Sequence, residues 1–96
     1  MDIPVCEIEN DIVNKQLFAL SCNTRRKILL ITKESPLTVR DMAQRIELTQ
    51  VTIKRHIKVL LECRLLIKFK IGNVYFYQSN KNENLMLVEK LSSLID

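Results

Sequence analysis

The segment from Leu48 to Gln78 constrains this chain more than any other. It begins Leu48-Thr-Gln-Val-Thr-Ile-Lys-Arg-His-Ile-Lys-Val-Leu60 and, after a short break, continues Ile67-Lys-Phe-Lys-Ile-Gly-Asn-Val-Tyr-Phe-Tyr77. At about 100° per residue, Ile53, Ile57, Leu60 and Leu61 fall on one side of a helix, while Val51, Lys54, Arg55 and Lys58 fall on the other. Thr49 is a good N-cap, Leu48 and Ile53 can staple the helix start, and Gln50 and Thr52 flank the outer side near that end. The second part alternates with period two around Gly72-Asn73, a two-residue hairpin turn with Gly first. That turn pairs Ile71 with Val74, Lys70 with Tyr75, Phe69 with Phe76 and Lys68 with Tyr77. Phe69, Ile71, Val74 and Phe76 are expected to face the core, and Lys68, Lys70, Tyr75 and Tyr77 to face away.

The rest of the chain supplies a frame for these two elements. Ninety-six residues with 47% hydrophobic content, one Gly and two Pro describe one ordered, helix-rich domain over 1–96. A first helix is expected over about 10–20, where Ile12, Val13, Leu17 and Leu20 recur at helical spacing. A second is expected over 24–33, closed by Ser35-Pro36. The third starts at Thr38, with Asp41 three residues on as in a capping box, and Val39, Met42, Ala43 and Ile46 on one face. Only Ile46 to Leu48 separate it from the Thr49 helix, as at a helix-turn-helix junction. A last helix is expected over 83–95, with Leu87, Val88, Leu91, Leu94 and Ile95 in an apolar stripe. The expected fold is therefore mainly α with a small β-hairpin: a winged helix-turn-helix of about five helices plus wing.

Charge divides along the same lines. Residues 23–81 carry thirteen Lys or Arg against four acids, a net +9, whereas residues 1–22 and 82–96 carry −3 and −2. A basic centre between acidic ends points to a polyanion partner for the centre alone. A helix with a basic outer face fits the major groove of DNA, and a basic hairpin fits the flanking backbone. The candidate DNA contacts are Thr49, Gln50, Val51, Thr52, Lys54, Arg55 and Lys58 on the helix, and Lys68, Lys70, Asn73 and Tyr75 on the hairpin. Thr38 and Arg40 join them at the start of the third helix, where free N–H groups favour phosphate. A protein-interaction module binding an acidic protein is the alternative reading.

Other chemistries find little support. The three cysteines, Cys6, Cys22 and Cys63, are widely spaced and form no Cys-x-x-Cys pair, which favours reduced thiols. Cys63 reads as a small buried hydrophobe, and Cys22, beside Arg25 and Arg26, as the better candidate for a reactive thiol. The lone His56 lies on the side of the basic helix and is expected to make a structural hydrogen bond. One His without a Cys cluster makes no zinc site within a chain. No P-loop, nucleophile elbow or dinucleotide-binding glycine motif occurs, so neither an enzyme, a cofactor, a metal nor a small-molecule substrate is expected. No apolar run approaches the ~18 residues that span a bilayer. The start Met-Asp-Ile-Pro lacks a secretory pattern, so the expected location is the cytoplasm.

These residues resemble the arsenical-repressor (ArsR/SmtB-like) family of winged-helix transcription regulators over about Leu17 to Gln78. Leu48 to Leu60 is similar to the family's recognition helix, Leu17-Phe-Ala-Leu with Thr24-Arg-Arg-Lys-Ile-Leu29 to its entry into the second helix, and Val74-Tyr-Phe-Tyr77 to the return strand of its wing. The resemblance implies a homodimer joined through the first and last helices, here by Ile12, Val13, Leu17, Leu87, Val88, Leu91, Leu94 and Ile95, around a DNA-binding core over 24–78. Two departures stand out. Many metal-sensing members hold a Cys-x-Cys pair where this chain has Thr38 and Arg40, and others use His and acidic ligands on a last helix that here has no His. Where the family's turn often carries Gly, this chain has Glu47, at a cost on the order of 1 kcal/mol if that residue is left-handed.

Overall fold

A computed structural model of the chain describes the backbone of residues 5–82 and the side chains of residues 11–82. Four helices precede a hairpin: α1 (Val5–Leu20), α2 (Asn23–Ile31), α3 (Val39–Ile46), α4 (Gln50–Glu62), β1 (Leu66–Ile71) and β2 (Val74–Ser79). The fifth helix expected over 83–95, with Leu87, Val88, Leu91, Leu94 and Ile95, lies outside the described residues. Helix α1 begins five residues before the expected Asn10, because Asn10 and Asp11 continue the helix rather than cap it. Helix α2 stops at Ile31, four residues short of Ser35, with Thr32 closing it through a side-chain bond to the Ile28 carbonyl at 2.7 Å.

The local signals at α3 and α4 act as their chemistry dictates. Thr38 Oγ1 accepts from the Asp41 N–H at 3.1 Å, and the Asp41 carboxylate accepts from the Thr38 N–H at 3.4 Å, which completes the capping box. Thr49 Oγ1 accepts from the Thr52 N–H at 3.2 Å. Between the helices Glu47 is left-handed (φ 64°, ψ 44°), and its N–H and that of Leu48 both reach the Ala43 carbonyl. At the far end of α4, Arg64 is also left-handed. The Arg64 N–H bonds the Leu61 carbonyl and the Leu65 N–H bonds the Leu60 carbonyl, a Schellman closure that sends Leu65 into the core.

One core holds these elements together. Ile28 from α2, Met42 from α3, Ile53 and Leu60 from α4, and Leu65 are fully buried, with Val13 and Ala19 of α1 packed among them. Polar groups that enter this interior are bonded. Gln16 donates to the Cys63 carbonyl at 3.0 Å, and Ser79 and Thr32 join the base of β2 to the end of α2. Cys63 is buried, as expected of a thiol used as a hydrophobe, and that burial pushes its pKa up.

The hairpin register agrees with the turn chemistry at every expected pair, from Ile71–Val74 to Lys68–Tyr77. Its faces follow the expectation for Lys68, Lys70 and Tyr75, which are exposed, and depart from it at Tyr77, Ile71 and Val74. Tyr77 is buried, together with Leu66 and Ser79 on the same side of the sheet, whereas Ile71 and Val74 are 61% and 47% exposed. Phe69 and Phe76 are half-buried and stack on each other at 6.1 Å. The reason is long-range. Leu37 pairs with Tyr77 by two backbone bonds of 3.0 and 2.9 Å, which pins the hairpin root with the Tyr77 side inward. Beyond that root the hairpin leaves the helical body, so its tip buries neither face.

Glu47 sets a stability test. Glycine removes the left-handed penalty of about 1–2 kcal/mol, offset by roughly 0.5–1 kcal/mol of extra unfolded-state entropy. Glu47→Gly should therefore match or raise the denaturation midpoint, while Glu47→Val, β-branched at positive φ, should lower it.

Candidate nucleic-acid interface

The outer side of α4 is a cationic ridge. Ile53, Ile57 and Leu60 are 0%, 3% and 0% exposed, which anchors the helix from behind and leaves Val51 (62% exposed), Lys54, Arg55 and Lys58 facing solvent. Gln50 and Thr49 are exposed beside the ridge at the helix start, and Thr52 is half-buried there. Thr49 donates its hydroxyl proton to Thr52 Oγ1 at 2.9 Å, so the Thr52 hydroxyl keeps a proton to offer elsewhere. Arg40 is exposed on the first turn of α3. The Thr38 and Asp41 N–H groups are engaged in the capping box, so the Thr38 hydroxyl proton and the first-turn N–H groups of Val39 and Arg40 are what that cap can offer a phosphate.

The hairpin contributes a second cationic element. Lys68, Lys70 and Tyr75 share one face by register, and the Lys68 ammonium lies 4.2 Å and the Lys70 ammonium 5.5 Å from the centre of the Tyr75 ring. The ring's negative face holds two like charges close together, a contact worth about 0.5–1 kcal/mol at exposed sites. Asn73 is exposed at the turn. Between ridge and hairpin runs an open groove of about 250 Å³, lined by Lys54, Ile57, Lys58, Leu61, Glu62 and Tyr77. Tyr77 was expected to point away from the body; its inward turn makes it the wall of this groove. The usable signal was its place opposite Lys68 on the cationic face.

Sequence reasoning missed what Arg25 and Arg26 do. Arg25 is buried, with Nε donating to the Ala19 carbonyl at 2.7 Å, Nη2 to the Phe18 carbonyl at 3.2 Å and the guanidinium 5.2 Å from the Phe18 ring centre. Arg26 donates to the Leu20 carbonyl at 2.6 Å. The two cations cap the last carbonyls of α1, where the helix dipole is negative. Arg25 Nη1 also lies 3.4 Å from Nδ1 of His56, the structural hydrogen bond expected of that histidine. Burial, and then the Arg25 charge, lower the His56 pKa. Cys22, half-buried at the start of α2, has its thiol pKa lowered chiefly by the Arg25 backbone N–H, against the opposing effect of burial.

Of the residues expected at a subunit interface, Ile12 is half-buried, Val13 is buried within the chain's own core and Leu17 is 40% exposed. Among the described residues no group of three or more His, Cys, Asp or Glu side chains gathers as a metal site, and no helix is long and apolar enough to cross a membrane.

A helix-turn-helix carried on a helical core and followed by a two-stranded wing defines the winged-helix class of protein. Within that class, residues 22–68 match the family model of the bacterial regulatory protein, arsR family. The transcriptional repressor SdpR of Bacillus subtilis (strain 168) is 28% identical over 68 residues, covering 71% of this chain and 76% of that protein. An ArsR-like transcriptional regulator from Rhodococcus sp. RHA1 superimposes with a TM-score of 0.84 at 22% identity, over 90% of this chain and 81% of its own. The homodimeric winged helix-turn-helix DNA-binding domain of Mb0332 from Mycobacterium bovis, a possible ArsR-family regulator, does so with a TM-score of 0.80 at 16% identity, over 99% and 87%. The last two likenesses establish the shared fold.

The lowered His56 pKa carries a sign. The unfolded chain, with an ordinary histidine near 6.5, binds more protons than the folded one, so stability is complete above about pH 6.5 and falls as pH drops below it. Thermal melts from pH 8 to 5 should show this fall, and His56→Asn, which cannot titrate, should remove that part of it.

Proposed function

We propose that the chain is a non-catalytic, sequence-specific DNA-binding transcription regulator that acts as a homodimer. The observation that carries this reading is the cationic ridge of α4, anchored from behind by Ile53, Ile57 and Leu60 and flanked by the Lys68–Lys70–Tyr75 face of the wing. Helix α4 enters the major groove, with Gln50, Val51, Lys54, Arg55 and Lys58 toward base edges and phosphates. Thr38, Arg40, Thr49 and Thr52 offer hydroxyl and guanidinium donors to the backbone. The wing lays Lys68, Lys70, Asn73 and Tyr75 along the adjacent backbone. The described names of the relatives, a repressor and a DNA-binding domain among them, support the same reading.

Dimerisation through the first and last helices sets two recognition helices about one DNA turn, ~34 Å, apart. Mb0332, a homodimer, supports this assembly, as does the partial exposure of Leu17 on α1. With Thr38 and Arg40 in place of a thiolate pair, the proposed regulator does not sense metal at the start of α3. Its proposed place of action is the cytoplasm.

A second reading is favoured by one observation. The wing face opposite the lysines leaves Ile67, Ile71 and Val74 exposed at 42%, 61% and 47%, as a protein-docking module would. Selection from random duplexes separates the two: a regulator enriches a preferred, two-fold related sequence, and a protein-interaction module enriches none. On the selected duplex, Arg55→Ala should cost about 1–3 kcal/mol and relax the preference at one base position. Lys68→Ala should weaken all duplexes alike and reduce the slope of log affinity against log salt by about one.

A further inference from the structure

Arg25 is a buried cation that the proposed DNA surface does not use. Two of its nitrogens hold α1, through the Ala19 and Phe18 carbonyls, and a third reaches α4 at His56. The α1 carbonyls are satisfied by Nε and Nη2 alone, so the Nη1 contact is not needed to close that helix. A guanidinium is a planar, rigid fork, and its donors keep fixed positions relative to one another. Any displacement of the end of α1 therefore moves the donor presented to His56. Arginine accepts no hydrogen bond, so the contact also requires His56 Nδ1 to be a bare acceptor, with the ring proton on Nε2.

The position of His56 gives this link its consequence. It stands between Arg55 of the outer ridge and Ile57 of the anchoring stripe, half-buried on the flank of α4. A pull at the flank rolls a helix about its axis. A roll of about 10° carries a side-chain tip about 1 Å at the ~5–6 Å radius of a helix, and about 1 Å exceeds the tolerance of a hydrogen bond to a base edge.

We propose that Arg25 and His56 are positioning residues for DNA reading: their contact fixes the roll of α4 against the end of α1 and so holds Lys54 and Arg55 in register with the bases. This rests on the reading of α4 as the DNA-contacting helix. It also ties the helix proposed for dimerisation to the helix proposed for recognition through one side chain.

The test compares His56→Asn, which keeps an acceptor near the Nδ1 position, with His56→Leu, which does not. Both are made in the full chain and compared with wild type at equal folded fraction by circular dichroism. On the duplex selected by the wild-type chain, His56→Leu should lose about tenfold in the ratio of specific to non-specific affinity, the equivalent of one well-placed base contact, with an unchanged salt slope. His56→Asn should stay within about twofold of wild type, because the acceptor is restored. Arg25→Lys, which keeps a cation but loses the fork, should behave like His56→Leu and serves if the leucine variant does not fold. In the free protein, the amide resonances of Ala19 to Cys22 should shift in His56→Leu and stay in place in His56→Asn. A wild-type ratio in both His56→Leu and Arg25→Lys, or silent α1 amides in His56→Leu, overturns the link. A wild-type chain with no preferred duplex overturns the DNA reading instead, and the amide response still decides whether α1 and α4 are coupled.

Discussion

The buried stripe of α4 is the constraint on which the rest of the structure depends. Ile53, Ile57 and Leu60 are almost wholly removed from water, each worth roughly 1.5–3 kcal/mol of burial. They belong to one core with Ile28 of α2, Met42 of α3 and Leu65 after α4. Turning α4 to present its other side would expose this stripe and bury Lys54, Arg55 and Lys58 without partners. The helix is also fixed at both ends, by the Thr49 cap and by the Schellman closure at Arg64 and Leu65. The ridge thus faces solvent because the alternative is far more costly, and the hairpin starts from a point set by the same closure.

Charge counted along the sequence and charge available at the surface differ. Thirteen cations lie between residues 23 and 81, but Arg25 is inside the protein, and the Arg26 guanidinium is engaged with the last carbonyl of α1. Six of the other eleven lie on α4, on α3 at Arg40 and on one face of the wing, and Lys27, Lys33, Arg45, Arg64 and Lys81 are exposed elsewhere. Arg25 and Arg26 thus close a helix, whereas Arg55 stands exposed on the ridge.

Much of this architecture was legible in the sequence because its causes are local. The Thr38–Asp41 capping box, the Thr49 cap and the Gly72-Asn73 turn with its register all follow from residues a few positions apart. The buried Tyr77 and the exposed Ile71 and Val74 show where local reasoning stops. Alternation separates Lys68 and Tyr77 from Phe69 and Phe76, but it does not say which set turns inward. That choice is made by the Leu37–Tyr77 bridge, forty residues apart in sequence, and by how far the hairpin projects beyond the helices. The Arg25–His56 contact was equally hidden, since nothing near Arg25 in the chain marks it as the one arginine of its pair that goes inside. The candidate interface is legible on α4, at Thr38 and Arg40 and on the lysine face of the wing, whereas the groove walled by Tyr77 depends on the long-range bridge to Leu37.

On the proposed reading, the α4 ridge and the lysine face of the wing form one continuous surface for duplex DNA. Amide chemical-shift mapping of the chain titrated with duplex tests it most directly. The largest shifts are expected at Gln50 to Lys58 and at Lys68, Lys70, Asn73 and Tyr75, with Leu30 and Ile67, outside that surface, unmoved. Shifts concentrated on Ile67, Ile71 and Val74 or on α2, with the ridge silent, would contradict it.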